Sequence, residues 1–158
     1  EDFVTKPKWI MLDNSTDLQF IKHAINNLEF DFEYIVHLRP TTPLRNKKDL
    51  NNSIKKFINT KYTSLRCVHE NSETAYKSFE IKKKKLITIF KKKANIDLSN
   101  LPRQKYPKTF VANGLADIYK RSYIIKNNKL FGNKVLAFIT NPTIEIDNIA
   151  DYNLLNKI

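Results

Sequence analysis

The 158 residues carry 28 Lys and Arg against 16 Asp and Glu, a formal net charge of +12, with 41% hydrophobic and 11% aromatic residues. That length fits one domain with a packed core, and the composition excludes global disorder. No apolar run approaches the roughly 18 residues a bilayer crossing needs, the opening "EDFVTKPKW" has no signal-peptide pattern, and the one cysteine, Cys67, excludes an internal disulfide, so the expected setting is a reducing cytoplasm with no membrane partner.

In chain order, "NSTDLQFIKHAINNLE" (14–29) predicts a helix: Thr16 and Gln19 form a capping-box pattern, and Leu18, Ile21, Ile25 and Leu28 recur at helical spacing. "FEYIVHL" (32–38) predicts a buried strand. "NKKDLNNSIKKFINTK" (46–61) predicts a second helix, with Leu50, Ile54, Phe57 and Ile58 on one face and lysines opposite. "TSLRCVHE" (63–70) predicts a strand in which Cys67 is a small buried side chain. "YKSFEIKKKKLITIFKKK" (76–93) pairs two apolar runs across a lysine cluster and predicts a hairpin-like excursion from the sheet. "NIDLSNLPRQKYPKTF" (95–110) reads as loop. "FVANGLADIYKRSYII" (110–125) predicts a strand running into a short helix or turn, "KVLAFITN" (134–141) a strand, "TIEIDN" (143–148) a further strand by its alternation, and "IADYNLLNKI" (149–158) a closing helix with Leu154 and Leu155 inward. Strands alternating with helices predict a single α/β domain.

The positive charge has two readings. Lys, Asn and Ile are abundant together, as in a chain of biased composition; the other reading is attraction of phosphates or nucleic acid. A nucleic-acid surface would interleave aromatic residues with its basic face, which the run Lys82–Lys85 does not do, so no nucleic-acid partner is expected. With two glycines, Gly114 and Gly132, these residues hold no glycine-rich phosphate loop.

Several short stretches can carry chemistry. "HLRPTTPLR" (37–45) follows a predicted strand and offers Arg39, Thr41, Thr42 and Arg45 on a loop stiffened by the fixed φ of Pro40 and Pro43, at the strand end where open α/β sheets bind ligands. "LPRQKYPKTF" sets Arg103 and Gln104 between Pro102 and Pro107; arginine there offers a planar fork of donors for a carboxylate or phosphate. "FVANGLAD" puts Asn113 and Gly114 at a bend. In "TIEID" an extended strand would project Glu145 and Asp147 from one face, where two carboxylates either bind a hard cation such as Mg²⁺ or form a solvated acidic surface. His23 reads as a helix-face residue and His37 as packing beneath the loop. No Ser/His/Asp or Cys/His arrangement is present.

The order of these stretches, strand-"LRPTTPLR", "PRQ", "NG", then "EID", resembles the acylneuraminate cytidylyltransferases, the CMP-sialic acid synthetases. The likeness extends over nearly the whole chain: "LDNSTDLQFIKHAI", "SLRCVHENSETAYK" and "NKLFGNKVLAFIT" also match family segments. The resemblance implies a three-layer, nucleotide-diphospho-sugar transferase-like (Rossmann-like) α/β fold with a mixed sheet. The implied reaction transfers CMP from CTP to the anomeric hydroxyl of a nonulosonic acid and releases pyrophosphate. By the same resemblance Glu145 and Asp147 hold Mg²⁺ and act in catalysis. Arg103 with Lys77 faces the sugar carboxylate beside Gln104. Arg39, Asn113 and Asp117 line the substrate, Thr42 and Arg45 support the loop, Asp13 lies near the nucleotide, and Leu130 and Phe131 form an apolar wall. An insertion over about 70–108, with its lysine-bracketed part at 76–96, would be a dimerisation arm of a homodimer.

This sequence departs from the family pattern at three of those positions. Glu145 stands where many relatives have Asp, so that ligand reaches one methylene further toward the metal. Arg39 replaces a frequent Gln and Asp117 stands where some members have Tyr, two changes that leave sialic, legionaminic, pseudaminic or a related nonulosonic acid open as substrate. The family's glycine- and lysine-containing triphosphate loop is not among these residues. The resemblance therefore implies a chain beginning partway through the domain, inactive or nearly so alone. The competing expectation is a non-catalytic relative that binds a sugar acid or dimerises.

Overall fold

The computed structural model describes residues 15–89 and 96–155. Helix α1 (Asp17–Asn27) starts where its sequence signals it should. The Thr16 hydroxyl accepts from the Gln19 N–H at 3.4 Å, and the Thr16 N–H donates to Gln19 Oε1 at 2.8 Å, so two end groups satisfy each other. Strand β1 (Tyr34–His37) leads through the proline loop to α2 (Lys47–Phe57), which Asn46 caps by accepting from the N–H groups of Lys48 and Asp49. Then come β2 (Ser64–Glu70), the hairpin β3 (Phe79–Lys82) and β4 (Lys85–Thr88), β5 (Phe110–Lys120), α3 (Arg121–Asn127), β6 (Val135–Ile139) and α4 (Ile149–Leu155).

The main sheet runs β1-β5-β2-β6. β5 is antiparallel to both its neighbours, and β2 and β6 are parallel. The chain is thus a mixed α/β fold on a mixed sheet. The period-two alternation of the strands feeds two apolar clusters. Val36, Leu65 and Ile118 pack with Phe57, Leu50 and Ile54 of α2, while Ile35 and Tyr119 pack with Ile21 and Ile25 of α1 and Ile124 of α3. Phe57 is wholly buried, which at usual values contributes about 1.5–3 kcal/mol. Cys67 lies buried in the first cluster. His37 sits between the rings of Phe20 and Tyr119, at centroid distances of 6.0 and 6.4 Å, and His23 lies on the α1 surface beside Asn27.

The predicted hairpin forms a separate two-stranded sheet with Ile81 opposite Leu86. Its turn puts Lys83 and Lys84 at positive φ, as a two-residue hairpin turn requires even without Asn or Gly. The part of the proposed arm at 90–95 lies outside the described residues, as does Asp13.

The structure departs from the sequence expectations in three places. Residues 143–148 do not form a strand. The segment crosses β5 instead of joining the sheet, and its Ile146 N–H donates to Thr41 O at 2.8 Å, so tertiary hydrogen bonds replace a ladder. The stretch 95–110 is not wholly irregular; it holds two short 3₁₀ turns, Ile96–Asn100 and Arg103–Lys105. Strand β1 is also shorter than expected.

Candidate functional site

The carboxyl ends of β1, β2 and β6 share one edge of the sheet, and β5 carries an irregularity there. Arg66 pairs with Asp117 and Val68 with Ala112, so two steps along β2 take up five along β5. The slack holds Asn113 and Gly114, with Gly114 at φ +66°. Bulges of this kind bend a strand and re-aim its side chains.

Hydrogen bonds fix the loop after β6 across this bulge. The Asn113 side-chain amide donates to Thr140 Oγ1 at 2.5 Å and to the Asn141 carbonyl at 3.4 Å, and its oxygen accepts from the Leu115 N–H at 3.2 Å. Thr143 Oγ1 donates to the Asn113 carbonyl. The outcome is visible at Gly114: a Cβ there would lie 2.3 Å from Thr42 Oγ1 and 2.4 Å from Glu145 Oε1. The loop after β1, the bulge of β5 and the loop after β6 therefore meet over one glycine. Thr42 is buried, whereas Glu145 and Asp147 are exposed.

Beside this point lies a chain of charges. Arg39 donates to Asp117 Oδ2 at 2.9 Å and to Asp17 Oδ2 at 2.6 Å, and Arg66 Nε lies 3.2 Å from Asp117 Oδ1. Burial opposes the Arg39 charge, but its hydrogen bonds to Asp117 and Asp17 and their negative charges outweigh it and raise its pKa. The Arg66 guanidinium also sits 4.7 Å from the centre of the Phe131 ring. Arg45 donates to the carbonyls of Leu115 and Arg39, a supporting position for the proline loop, and burial lowers its pKa.

A second cleft, of about 380 Å³, lies where β2 ends and β5 begins. Arg103, Gln104, Thr74, Asn71, Lys108 and Glu70 line it. Glu70 there bridges two cations, Arg103 at 3.3 Å and Lys108 at 2.7 Å, and Arg103 also donates to the Asn71 carbonyl at 2.9 Å. The hydrogen bond from Lys108 is the main reason the Glu70 carboxyl titrates below its ordinary range; some desolvation opposes it, and the Arg103 charge adds to the lowering. Lys77 ends the short 3₁₀ turn Ala75–Lys77, whose cap Thr74 lines the same cleft.

The sequence-predicted residues thus divide. Arg39, Thr42, Arg45, Asn113, Asp117 and Glu145 gather around the β5 bulge, and Arg103 and Gln104 line the second cleft. Sequence reasoning missed Asp17, Arg66, Glu70 and Lys108. Arg66 left a signal, since a cation in the middle of "SLRCVHE" has to find a partner.

For a divalent metal, the available donors are oxygens. Glu145 and Asp147 make no ion pair among the described residues, and Thr42 Oγ1 finds no hydrogen-bond partner there. No group of three or more His, Cys, Asp or Glu side chains that could hold a metal forms among the described residues. One or two carboxylates with open positions for water and phosphate oxygens suit Mg²⁺, so the donor set fits that ion. No helix among the described residues is long and apolar enough to cross a membrane.

No protein-family model matches the chain. Over 97% of its length, in an alignment of 160 positions, the chain is 23% identical to the N-acylneuraminate cytidylyltransferase of Escherichia coli O18:K1:H7 (strain RS218 / NMEC), and it spans 36% of that relative's length. The distant relative is a member of the family that the ordered motifs of the sequence resemble.

Proposed function

We propose that this chain carries the sugar-acid- and metal-binding residues of a cytoplasmic cytidylyltransferase with the nucleotide-diphospho-sugar transferase-like fold. In the reaction, the anomeric oxygen of a nonulosonic acid forms a bond to the α-phosphorus of CTP. The α–β phosphoanhydride bond breaks, pyrophosphate leaves, and the hydroxyl proton passes to solvent. The observation that carries this reading is the meeting of Thr42, Gly114 and Glu145 at the carboxyl ends of the strands, in a chain similar over 97% of its length to a cytidylyltransferase.

Glu145 and Asp147 would hold Mg²⁺, which when bound supplies neutralisation of charge growing on the phosphates. Asn113 holds the metal-bearing loop across the bulge, and Arg39 and Asp117 border the substrate with their charges mutually balanced. Arg103, Gln104 and Lys77 would receive the sugar carboxylate; Glu70 occupies Arg103 and Lys108 as an internal carboxylate in its stead. Asp13 would lie near the nucleotide. The exposed apolar pair Ile81 and Leu86 suits an arm that reaches a second copy, giving a homodimer whose cleft is completed by the partner.

The test is pyrophosphate release from CTP and Mg²⁺ with sialic, legionaminic and pseudaminic acids, using the complete open reading frame that encodes this chain. Release with one sugar, lost in Asp147→Ala, is the expected result. No release with any of them would leave a binding-only relative as the better reading.

A further inference from the structure

Thr42 is wholly buried, and its hydroxyl oxygen has no hydrogen-bond partner among the described residues. Leaving such a group unsatisfied is destabilising, a cost that valine, of nearly the same shape, would avoid. The oxygen has a direction. It points into the space over Gly114, where Glu145 Oε1 also points, each within 2.4 Å of the position a Cβ would take. The neighbouring Thr41 carbonyl accepts from the Ile146 N–H at 2.8 Å, so the two loops carrying these oxygens are clamped together by the backbone.

We propose that Thr42 Oγ1 is a ligand of the same divalent cation as Glu145 and Asp147, an inference that rests on the metal-dependent reading above. A hydroxyl is a hard oxygen donor, the type that holds Mg²⁺ beside a carboxylate in phosphate-loop enzymes. Being neutral, it adds a coordination bond without cancelling charge. Two carboxylates already balance the ion, and a third would weaken its hold on a triphosphate. The bare Cα of Gly114 gives both oxygens room to converge.

Thr42→Val keeps the shape and removes the oxygen. With no metal added, its melting temperature should equal or exceed that of the wild type, because an unsatisfied polar atom has gone. Mn²⁺ binding, read by electron paramagnetic resonance with the ion alone and with CTP present, should weaken about tenfold or more. Thr42→Ser, which keeps the oxygen, should restore it. Wild-type-like Mn²⁺ affinity in Thr42→Val, alongside loss in Asp147→Ala, would overturn the Thr42 assignment and leave the metal reading standing. Equal loss in Thr42→Val and Thr42→Ser would make Thr42 a packing residue. No bound Mn²⁺ in the wild type under either condition would overturn both the assignment and the reading beneath it.

Discussion

Arg39 and Asp117, 78 positions apart in sequence, meet at 2.9 Å, and each is shared with a third residue: Arg39 with Asp17, Asp117 with Arg66. One buried carboxylate therefore bridges two arginines, one following β1 and one within β2, the two strands that flank its own, and Asp17 supplies the second negative charge.

Removing that carboxylate leaves two partly buried cations without their shared partner. Asp117→Ala should destabilise the fold by about 2–3 kcal/mol, somewhat less than breaking a fully buried pair because both arginines retain some solvent contact. Urea denaturation measures this directly. A loss within experimental error of zero would mean water serves both arginines equally well.

Gly114→Ala would place a methyl against Thr42 Oγ1 and Glu145 Oε1 at positive φ. Left-handed backbone alone costs an L-residue about 1–2 kcal/mol. The Glu145 end can swing away, but Thr42 is buried and cannot. The expected result is a lower urea midpoint together with weaker Mn²⁺ binding. Unchanged values for both would show that the two loops move apart freely.

Burial pushes the Cys67 thiol up to about 11 from its ordinary 9.0. At pH 8 the native protein should react with a thiol reagent only as fast as it opens, and fully in urea. The folded state holds this proton more tightly than the unfolded state. The thiol's share of stability is therefore complete below about pH 9 and is lost as the pH rises toward 11. Cys67→Ala should lack that component of the alkaline decline. Rapid labelling of the native protein at pH 8 would contradict the burial.

Ile81 is 78% exposed and faces Leu86, 51% exposed, across the hairpin. Ile81→Glu with Leu86→Lys keeps a favourable cross-strand pair while removing the apolar patch. Sedimentation should show a shift from dimer to monomer with little change in melting temperature. A dimer that persists removes the hairpin from the interface.

Glu70→Gln should leave the urea midpoint nearly unchanged, because ion pairs at this exposure contribute little. Freed of its internal carboxylate, the pair Arg103 and Lys108 should bind a nonulosonic acid more tightly, measured by calorimetry. Weaker binding would instead assign Glu70 to holding Arg103 in place for the sugar.

By itself the sequence determined the local elements. The capping box at Thr16, the helical stripe through Ile21 and Ile25, and the apolar pairs of the hairpin act between near neighbours, so periodicity and end signals suffice to place them. It also placed Cys67 in the core, because a short apolar strand has nowhere else to put it. Tertiary structure alone decided how the site is assembled. "TIEID" alternates like a strand, yet no sheet edge receives it, and hydrogen bonds to Thr41 and Asn113 carry it across the β5 bulge. The same long-range contacts bring Glu145 to Thr42, spend Arg39 on Asp117, and give Arg103 to Glu70. Which charge meets which depends on how β5 is inserted between β1 and β2, and pairing between distant strands leaves no periodic trace in the chain.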